Sequence, residues 1–267
     1  MTIGMILLII VAALILLGAG QRVLDRLRLN DKLALLFIAL IIAGGRGMRM
    51  GQEIPKQFLT VNEKPVIVYT MEAFQKHADI DAIAVVCIAG WENILSAYAR
   101  QYGITKLKHI IPGGENGQDS IRNGVLELEK HYSRDDLVLV HDAIRPMLSA
   151  DIISDCIATA TQYGSAIAVV PCQEAMLETT DQVSTCASYP RQNLKRTQTP
   201  QAFPIGVLAD AHREALEKGI TNSIASCTLM VELGRTIYFS HGSEKNIKLT
   251  TPEDVDIFRA LLNLNGR

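Results

Sequence analysis

The stretch FIALIIAGGRGMRMG, residues 37–51, joins a continuous apolar run to a glycine-rich loop. An apolar run without polar alternation is typical of a strand buried on both faces, as strands in parallel sheets are. Similar runs recur along the chain, each followed by a helical stretch, as in AIAVVCIA before ENILSAYARQYG and LVLVHDA before DIISDCIATATQYG. This alternation predicts an α/β fold with a mostly parallel sheet, whose ligand binds beyond the carboxyl ends of the strands.

The composition narrows the class of protein. Of the 267 residues, 48% are hydrophobic and 20% are charged, and 26 basic against 28 acidic side chains give a formal net charge of −2. These values argue against a disordered chain and against a mainly electrostatic nucleic-acid binder, and 5% aromatic residues offer little surface for stacking bases. The five cysteines include no CxxC pair, so they are expected to be free thiols in a reducing compartment, the cytoplasm.

Residues 1–35 form an apolar N-terminal extension, in which the run at 3–19 is slightly shorter than the about 20 residues of a membrane-spanning helix. No basic residue precedes the run, which disfavours a secretory signal, whereas arginines follow it and favour a cytoplasmic location for the rest of the chain. Two interpretations stay open: a membrane anchor, or an incorrectly joined reading frame in front of a complete domain at 36–267. A membrane is expected as a partner only if the extension is genuine.

The loop at 44–51 predicts an anion site, because glycines allow backbone N–H groups to approach an anion without a Cβ in the way. It lacks the lysine of a GxxxxGK[ST] phosphate loop. Met50 stands where the dinucleotide fingerprint GxGxxG needs its third glycine, which disfavours a nicotinamide-dependent reductase. Instead Arg49 and Lys56 flank the loop, and a guanidinium with an ammonium group suits a triphosphate and the charge that develops when it reacts.

Five motifs follow one another along the chain: AGGRGMRMG with PKQF, then GGENGQDSIRNG, VHDAIRP, RTQTPQAF and NIKLTTPED. Over about 230 residues from Leu36 onward they resemble the cytidylyltransferases that activate polyol phosphates. The resemblance implies a Rossmann-like, nucleotidyltransferase-type sheet with helices on both faces and a projecting β-arm. It also implies transfer of CMP from CTP to a polyol phosphate with release of pyrophosphate. The acceptor in this family is 2-C-methyl-D-erythritol 4-phosphate in isoprenoid precursor synthesis, or ribitol 5-phosphate in teichoic-acid and capsule synthesis.

The resemblance implies three groups of site residues. The catalytic cations are Arg49, Lys56 and Lys248. The nucleotide-binding residues come from two glycine-rich segments and the end of one strand: Ala43, Gly44, Gly45, Gly47, Gly113, Gly114, Ser120 and Asp142. The acceptor-binding residues are Arg145, Arg191 and Thr199, with Gln201 nearby. The Ser120 hydroxyl is expected to pair with the cytosine edge, since polar groups placed for one base reject another.

The residues around Asp142 have chemistry of their own. Asp142 ends an apolar strand, where a carboxylate often steers a metal or a hydroxyl group, so it is expected to contact the Mg²⁺ that accompanies CTP. The neighbouring His141 has no partner at metal-ligand spacing and is expected to order its loop by hydrogen bonds. Late in the chain, Thr251 and Pro252 have the pattern of a helix N-cap and first helical position and are interpreted as structural.

The segment at 171–197 resembles the arm through which relatives form homodimers, and Arg191 would contact the acceptor phosphate bound to the neighbouring subunit. The chain departs from the usual family residues at Ala175, Gly117 and Asn222, which removes a hydroxyl, an arginine and a carboxylate. These losses concern mostly the acceptor and leave the triphosphate residues intact. Trp91 resembles the ribitol-phosphate branch.

We expect 2-C-methyl-D-erythritol 4-phosphate to be the acceptor, with ribitol 5-phosphate as the alternative. Two other functions remain open. A nucleotidyltransferase that uses UTP or GTP with a sugar phosphate shares the glycine-rich opening. A nucleotide-binding relative without turnover would account for the missing family residues.

Overall fold

A computed structural model describes residues 35–45 and 54–264. From Phe37 onward the chain forms one structural unit. The predicted membrane anchor at 3–19 and the loop residues Gly47 and Arg49 lie outside the described residues.

The described strands form one large sheet and two small ones. In chain order they are β1 (Phe37–Ala43), β2 (Thr60–Val61), β3 (Lys64–Pro65), β4 (Ala82–Cys87), β5 (Leu107–Pro112), β6 (Leu137–Asp142), β7 (Ala166–Pro171), β8 (Met176–Glu178), β9 (Ala187–Tyr189), β10 (Lys195–Pro204) and β11 (Phe239–His241). The large sheet has the order β11-β7-β10-β6-β1-β4-β5, and of these strands only β10 runs antiparallel to its neighbours. The predicted mostly parallel sheet is confirmed.

Helices cover both faces of the large sheet. They are α1 (Val66–Lys76), α2 (Glu92–Gln101), α3 (Gly117–Leu128), α4 (Ala150–Tyr163), α5 (Ile205–Glu217), α6 (Ser226–Glu232) and α7 (Pro252–Leu264). The apolar side chains of α1, α2 and α4 pack on one face, and those of α3, α5 and α6 pack on the other. None of the helices in the described part of the chain combines the length and the apolar character that crossing a bilayer requires.

The central strand β1 shows why its sequence is apolar throughout. Ile38 and Leu40 belong to the core on the α3 side, whereas Ala39 and Ile41 belong to the core on the α1 side. All four side chains are completely buried. Burial of an aliphatic side chain as large as isoleucine contributes about 1.5–3 kcal/mol to the stability of the fold. A polar residue at any of these positions would therefore destabilise the core on that side of the sheet.

The hairpin of β8 and β9 lies outside the two cores. These strands pair with each other and not with the large sheet. Every residue from 173 to 193 is exposed, among them the apolar Leu177 at 62% and Val183 at 90%. This hairpin is the projecting β-arm that the sequence predicts.

Helix α7 begins at Pro252, as its sequence pattern predicts. The carboxylate of Asp254 accepts hydrogen bonds from the backbone N–H groups of Thr250 and Thr251, both at 2.8 Å. Side-chain acceptors at a helix start stabilise it by about 1 kcal/mol. Thr251 and Pro252 therefore have the structural role expected of them.

Candidate active site

The carboxyl ends of four neighbouring strands stand in register at one edge of the large sheet. Pairing places Ile42 of β1 beside Asp142 of β6, Ala43 beside Cys87 of β4, and Cys87 beside Pro112 of β5. The loops that leave these ends are therefore neighbours although they are far apart in sequence. They carry three of the five motifs, and we call this region the carboxyl edge.

Gln57 attaches the PKQF segment to the first glycine loop. Its side chain is only 2% exposed, and its Nε2 donates to the carbonyl oxygens of Ala43 at 2.7 Å and Gly45 at 3.1 Å. A buried amide satisfied in this way has one orientation, so these hydrogen bonds hold the PKQF segment against the loop. Lys56 directly precedes Gln57 in this segment. The role of Gln57 was not predicted, although it lies within a motif that the sequence singled out.

The two glycine-rich loops touch each other at the carboxyl edge. A Cβ on Gly44 would lie 2.9 Å from the Ser120 Oγ, and a Cβ on Gly114 would lie 2.3 Å from the Asp119 Cβ. Real Cβ atoms do not approach other carbon atoms so closely, so a side chain at Gly114 would force the loop to move. These glycines are needed for the close packing of loop against helix start.

Ser120 makes two hydrogen bonds within its own loop. The side chain is 3% exposed, its hydroxyl donates to the Asn116 carbonyl oxygen at 2.9 Å, and it accepts from the Gly114 N–H at 3.0 Å. A hydroxyl has one proton to donate, and this one is already used. Ser120 therefore holds the loop around Gly113 in shape, and its contact with a cytosine stays a prediction.

Two residues that the sequence analysis did not name connect this loop to the rest of the molecule. Asn116 is the N-cap of α3, where its Oδ1 accepts from the Asp119 N–H at 2.9 Å. Gln118 is 4% exposed and bridges to a second loop, donating to the Ile220 carbonyl and accepting from the Ser223 N–H, both at 2.7 Å. The N-cap pattern could have identified Asn116, whereas nothing in the sequence marks Gln118 as a bridge.

Asp142 forms ion pairs with two of the predicted cationic side chains. Lys248 Nζ and Arg145 Nε both lie 3.1 Å from its Oδ2 atom. Burial alone would raise the pKa of Asp142, but the charges of Lys248 and Arg145 outweigh it, so the pKa lies below its usual value. The carboxylate is therefore ionised at neutral pH. The Lys248 side chain remains 43% exposed, so its charge can still reach a ligand.

His141 orders its loop, as predicted. It is completely buried, with Nε2 3.2 Å from the Arg145 carbonyl oxygen and Nδ1 3.0 Å from the Thr199 Oγ1. Thr199 Oγ1 also lies 3.1 Å from the backbone N of Asp142 and accepts its hydrogen bond. Burial lowers the pKa of His141 to about 4, so the ring is neutral at physiological pH.

The RTQTPQAF motif includes buried polar residues. Gln201 is 2% exposed and its amide contacts the Gln198 carbonyl and Cys227, which leaves it no access to an acceptor phosphate. Thr199, expected to bind the acceptor, directs its hydroxyl to His141 and the Asp142 backbone. Gln198 and Gln201 are buried, Thr199 is half-buried, and Arg196 and Thr197 are exposed, so the motif combines interior and surface positions.

Arg191 lies at the base of the arm and is exposed. Its Nη1 donates to the Gln173 carbonyl oxygen at 2.8 Å. Among the described residues, no contact joins Arg191 to Asp142, Arg145 or Lys248 of the same chain. The structure thus brings Lys248, Arg145 and Asp142 together and leaves Arg191 apart from them.

The described residues contain no cluster of three or more histidine, cysteine or acidic side chains that could hold a metal by itself. Asp142 is the one carboxylate of the group around it, and both cations contact its Oδ2 rather than its Oδ1. Mg²⁺ in nucleotide sites is commonly bound by one or two carboxylates together with substrate phosphates. The residues present therefore fit a metal that arrives with a nucleotide.

Comparison with known proteins finds relatives along most of the chain. A ribitol-5-phosphate cytidylyltransferase from Lacticaseibacillus paracasei is 44% identical over 84% of this chain and 97% of its own length. A 2-C-methyl-D-erythritol 4-phosphate cytidylyltransferase from Clostridium botulinum is 36% identical over 84% of this chain and 96% of its own. A solved structure of the latter enzyme from Francisella tularensis superposes with a TM-score of 0.72 at 26% identity, covering 84% of this chain and 99% of that one.

The family profile of IspD, 2-C-methyl-D-erythritol 4-phosphate cytidylyltransferase, matches residues 37–264. The match spans the large sheet, the arm and the C-terminal helix, and it includes every described residue of the carboxyl edge. The chain therefore belongs to the IspD family of cytidylyltransferases.

Proposed function

We propose that this protein is a CTP-dependent cytidylyltransferase that transfers CMP to ribitol 5-phosphate and releases pyrophosphate. The observation that carries the choice of acceptor is the 44% identity to a ribitol-5-phosphate cytidylyltransferase over 97% of that enzyme's length. The botulinum relative named for the methylerythritol compound is less similar, at 36% identity. Trp91, a residue of the ribitol-phosphate type, stacks on Phe58 of the PKQF segment with ring centroids 4.5 Å apart, which supports the same choice.

The reaction is an in-line displacement without a covalent enzyme intermediate. An oxygen of the acceptor phosphate attacks the α-phosphorus of CTP, a new P–O bond forms, and the bond to the leaving pyrophosphate breaks. Such chemistry depends on positioning and on neutralising negative charge more than on a protein nucleophile. The contact of Lys248 with Asp142 supports this mechanism, and Lys56 and Arg49 would add two further positive charges.

The nucleotide would bind along the carboxyl edge. The backbone of the loop at 43–45 would face the phosphates, and the loop at 113–116 would face the base. The tight contact between these loops limits the space available to the base, which supports discrimination between nucleotides by shape and by backbone hydrogen bonds. A metal bound with CTP would neutralise phosphate charge, and Asp142 is the residue that would hold it.

The acceptor site would be completed by a second copy of the chain. The arm exposes apolar side chains, and Arg191 contacts none of the cations around Asp142 within its own chain. A homodimer formed through the arm would cover the apolar residues and bring Arg191 to the neighbouring site. Arginine suits this task because its guanidinium can bind a phosphate with two hydrogen bonds.

The free, buried thiols of Cys87 and Cys156 are consistent with a cytoplasmic enzyme.

The second candidate acceptor is 2-C-methyl-D-erythritol 4-phosphate, the compound expected from the motifs. It is favoured by the family profile over residues 37–264 and by the solved structure from Francisella tularensis. Both acceptors are polyol phosphates, so the reaction and the triphosphate site are common to the two proposals.

The test is turnover of the full-length protein with CTP and each acceptor, measured as release of pyrophosphate. We expect kcat/KM for ribitol 5-phosphate to exceed that for the methylerythritol compound by about 10²-fold or more, since a polar site rejects a ligand that leaves its groups unpaired. The reverse preference would select the second candidate. A panel of CTP, UTP and GTP separates the cytidylyltransferase from related nucleotidyltransferases, and CTP binding without turnover would indicate a non-catalytic relative.

A further inference from the structure

A buried junction behind Asp142 links segments that are distant in sequence. His141 on β6 and Thr199 on β10 are 58 residues apart, yet their side chains make a direct hydrogen bond. The ring of His141 is completely buried and also packs edge-on against Phe74, with ring centroids 5.3 Å apart. A ring held from three sides in this way cannot rotate without breaking contacts on each of them.

The direction of every hydrogen bond in the junction follows from one carbonyl group. The Arg145 carbonyl oxygen can only accept, so the His141 Nε2 must carry a proton. In a neutral imidazole the other nitrogen, Nδ1, is then an acceptor. The Thr199 hydroxyl therefore donates to Nδ1, and its oxygen accepts from the Asp142 N–H.

This assignment determines what Thr199 can do. Phosphate oxygens at neutral pH accept hydrogen bonds, so a threonine that binds a phosphate must donate its proton to it. The single hydroxyl proton of Thr199 is already directed to His141. Thr199 therefore acts on the site through its neighbours, because it holds the backbone N–H of Asp142 while His141 holds the carbonyl of Arg145.

Asn246 closes the junction into a ring. Its Nδ2 donates to the backbone carbonyl of Thr199 at 2.8 Å, and its backbone carbonyl accepts from Arg145 Nη1 at 2.8 Å. Asn246 is completely buried and lies two residues before Lys248. The ring thus connects the end of β6, strand β10 and the segment that carries Lys248.

We propose that His141 and Thr199 are positioning residues that set the geometry of Asp142, Arg145 and Lys248 for nucleotidyl transfer. The proposal rests on the cytidylyltransferase function proposed above and assigns Thr199 a task other than binding the acceptor. A misplacement of about 1 Å among reacting groups can reduce a rate by about 10²-fold, so a buried hydrogen bond without ligand contact can control turnover.

The test compares Thr199→Val, which removes the hydroxyl but keeps the shape, with Thr199→Ser, which keeps the hydroxyl. For Thr199→Val we expect kcat to fall about 10- to 100-fold with an acceptor KM within about threefold of wild type. Thr199→Ser should recover most of the lost kcat. Thr60→Val serves as a matched control, since Thr60 is exposed and lies in the small sheet of β2 and β3; it should not change the kinetics.

His141→Gln tests the coupling. The glutamine amide can donate to the Arg145 carbonyl, but it leaves the Thr199 proton without its acceptor. If both residues act through one junction, the double variant His141→Gln/Thr199→Val should have a kcat no lower than that of the slower single variant. Multiplied losses, or a rise in acceptor KM with an unchanged kcat in Thr199→Val, would overturn the proposal and return Thr199 to a direct contact.

Nitrogen NMR of the His141 ring provides a readout that does not need turnover. We expect the protonated nitrogen to be Nε2 and the bare nitrogen to be Nδ1, with the Nδ1 signal shifted in Thr199→Val. The opposite tautomer would exclude the junction even if the enzyme is active. Absence of turnover by wild-type protein with any acceptor, together with the expected tautomer, would reject the proposed function and leave the hydrogen-bond assignment standing.

Discussion

At the carboxyl edge the polar side chains have partners within one chain, whereas the side chains of the β-arm are exposed. At the carboxyl edge, Asp142 has two cationic partners, Gln57 hydrogen-bonds the first glycine loop, and Ser120 hydrogen-bonds the second. On the arm, every residue from 173 to 193 is exposed and the hairpin pairs only with itself. The polar groups at the carboxyl edge are therefore partnered within one chain, whereas the arm exposes apolar surface of the kind that a second surface covers.

The largest expected effect comes from removing charge at the carboxyl edge. Lys248→Ala removes the ammonium group that lies 3.1 Å from Asp142, and we expect kcat to fall about 10²- to 10³-fold because the transition state loses electrostatic stabilisation. Lys56→Ala should fall in the same range with the fold unchanged. Lys245→Ala is the control, since Lys245 lies exposed three residues before Lys248. Near-normal pyrophosphate release by either lysine variant, with circular dichroism like that of wild type, would contradict the assignment.

A backbone change should have the next largest effect. Gly114→Ala would place a Cβ 2.3 Å from the Asp119 Cβ, so the base loop must move, and we expect the KM for CTP to rise about 10-fold or more. Gly117→Ala, three residues along, has open space around its Cβ and should leave that KM within about twofold of wild type. Steady-state kinetics at saturating acceptor measure both. Equal behaviour of the two variants would mean that the packing of the loop does not determine CTP binding.

The arm is expected to act in trans. Arg191→Ala should raise the acceptor KM about 10-fold, the loss typical of a charged hydrogen bond of about 1.5 kcal/mol. Mixing Arg191→Ala subunits with Lys248→Ala subunits should restore about a quarter of wild-type activity at limiting acceptor, because half of the dimers are mixed and each has one intact site.

Subunit exchange should be verified by mass spectrometry with differently tagged chains. If dimers exchange and activity does not recover, Arg191 acts within its own chain or not at all. Arg235→Ala is a matched control for loss of a surface arginine, since its guanidinium is paired with Glu214 on α5, far along the chain from the arm.

The smallest effect at neutral pH is expected from His212, a buried histidine on α5 that makes the stability of the fold depend on pH. His212 on α5 is 1% exposed, and neither ring nitrogen has a hydrogen-bond partner among the described residues. Burial, aided by the charge of Arg122, lowers the pKa of His212 to about 4. The folded state therefore resists protonation that the unfolded chain accepts near pH 6.5, so stability is complete above that pH and declines as the pH falls towards 4.

His212→Leu should remove this part of the acid sensitivity. A shift from 6.5 to about 4 corresponds to about 3 kcal/mol of unfolding free energy lost at the acid end. Urea unfolding at pH 7 and pH 4.5 should give a smaller difference between the two pH values for the variant than for wild type. His141 has a similarly lowered pKa and keeps its own share of the slope in the variant. An unchanged pH dependence would show that His212 does not titrate as its burial implies.

The order and type of the elements could be predicted because they depend on local patterns. The continuous apolar run of β1 and the helix start at Pro252 appear in the structure as expected. The role of His141 as a loop-ordering residue was also predicted correctly. By contrast, the hydrogen bonds that Ser120, Thr199 and Gln201 make with neighbouring segments were not predicted.

These differences have one physical cause. A sequence motif reports that a polar side chain is required at a position, but a hydroxyl that binds a ligand and a hydroxyl that binds a neighbouring loop have the same chemistry. Only the distances distinguish them, as the 3.0 Å contact between Thr199 and His141 does. Gln57 and Gln118 were overlooked for the same reason, since an amide that joins two loops has no periodic signal.

The amino-acid sequence by itself determined the class of fold, the position of the glycine loops and the family, because apolar periodicity and ordered motifs are properties of the chain read in one dimension. The tertiary structure alone decided which side chains share the carboxyl edge. Lys248 and Asp142 are separated by more than a hundred residues and meet because parallel strands end together and a late segment returns to them. Contacts of that kind depend on how the chain crosses itself, which no local pattern contains.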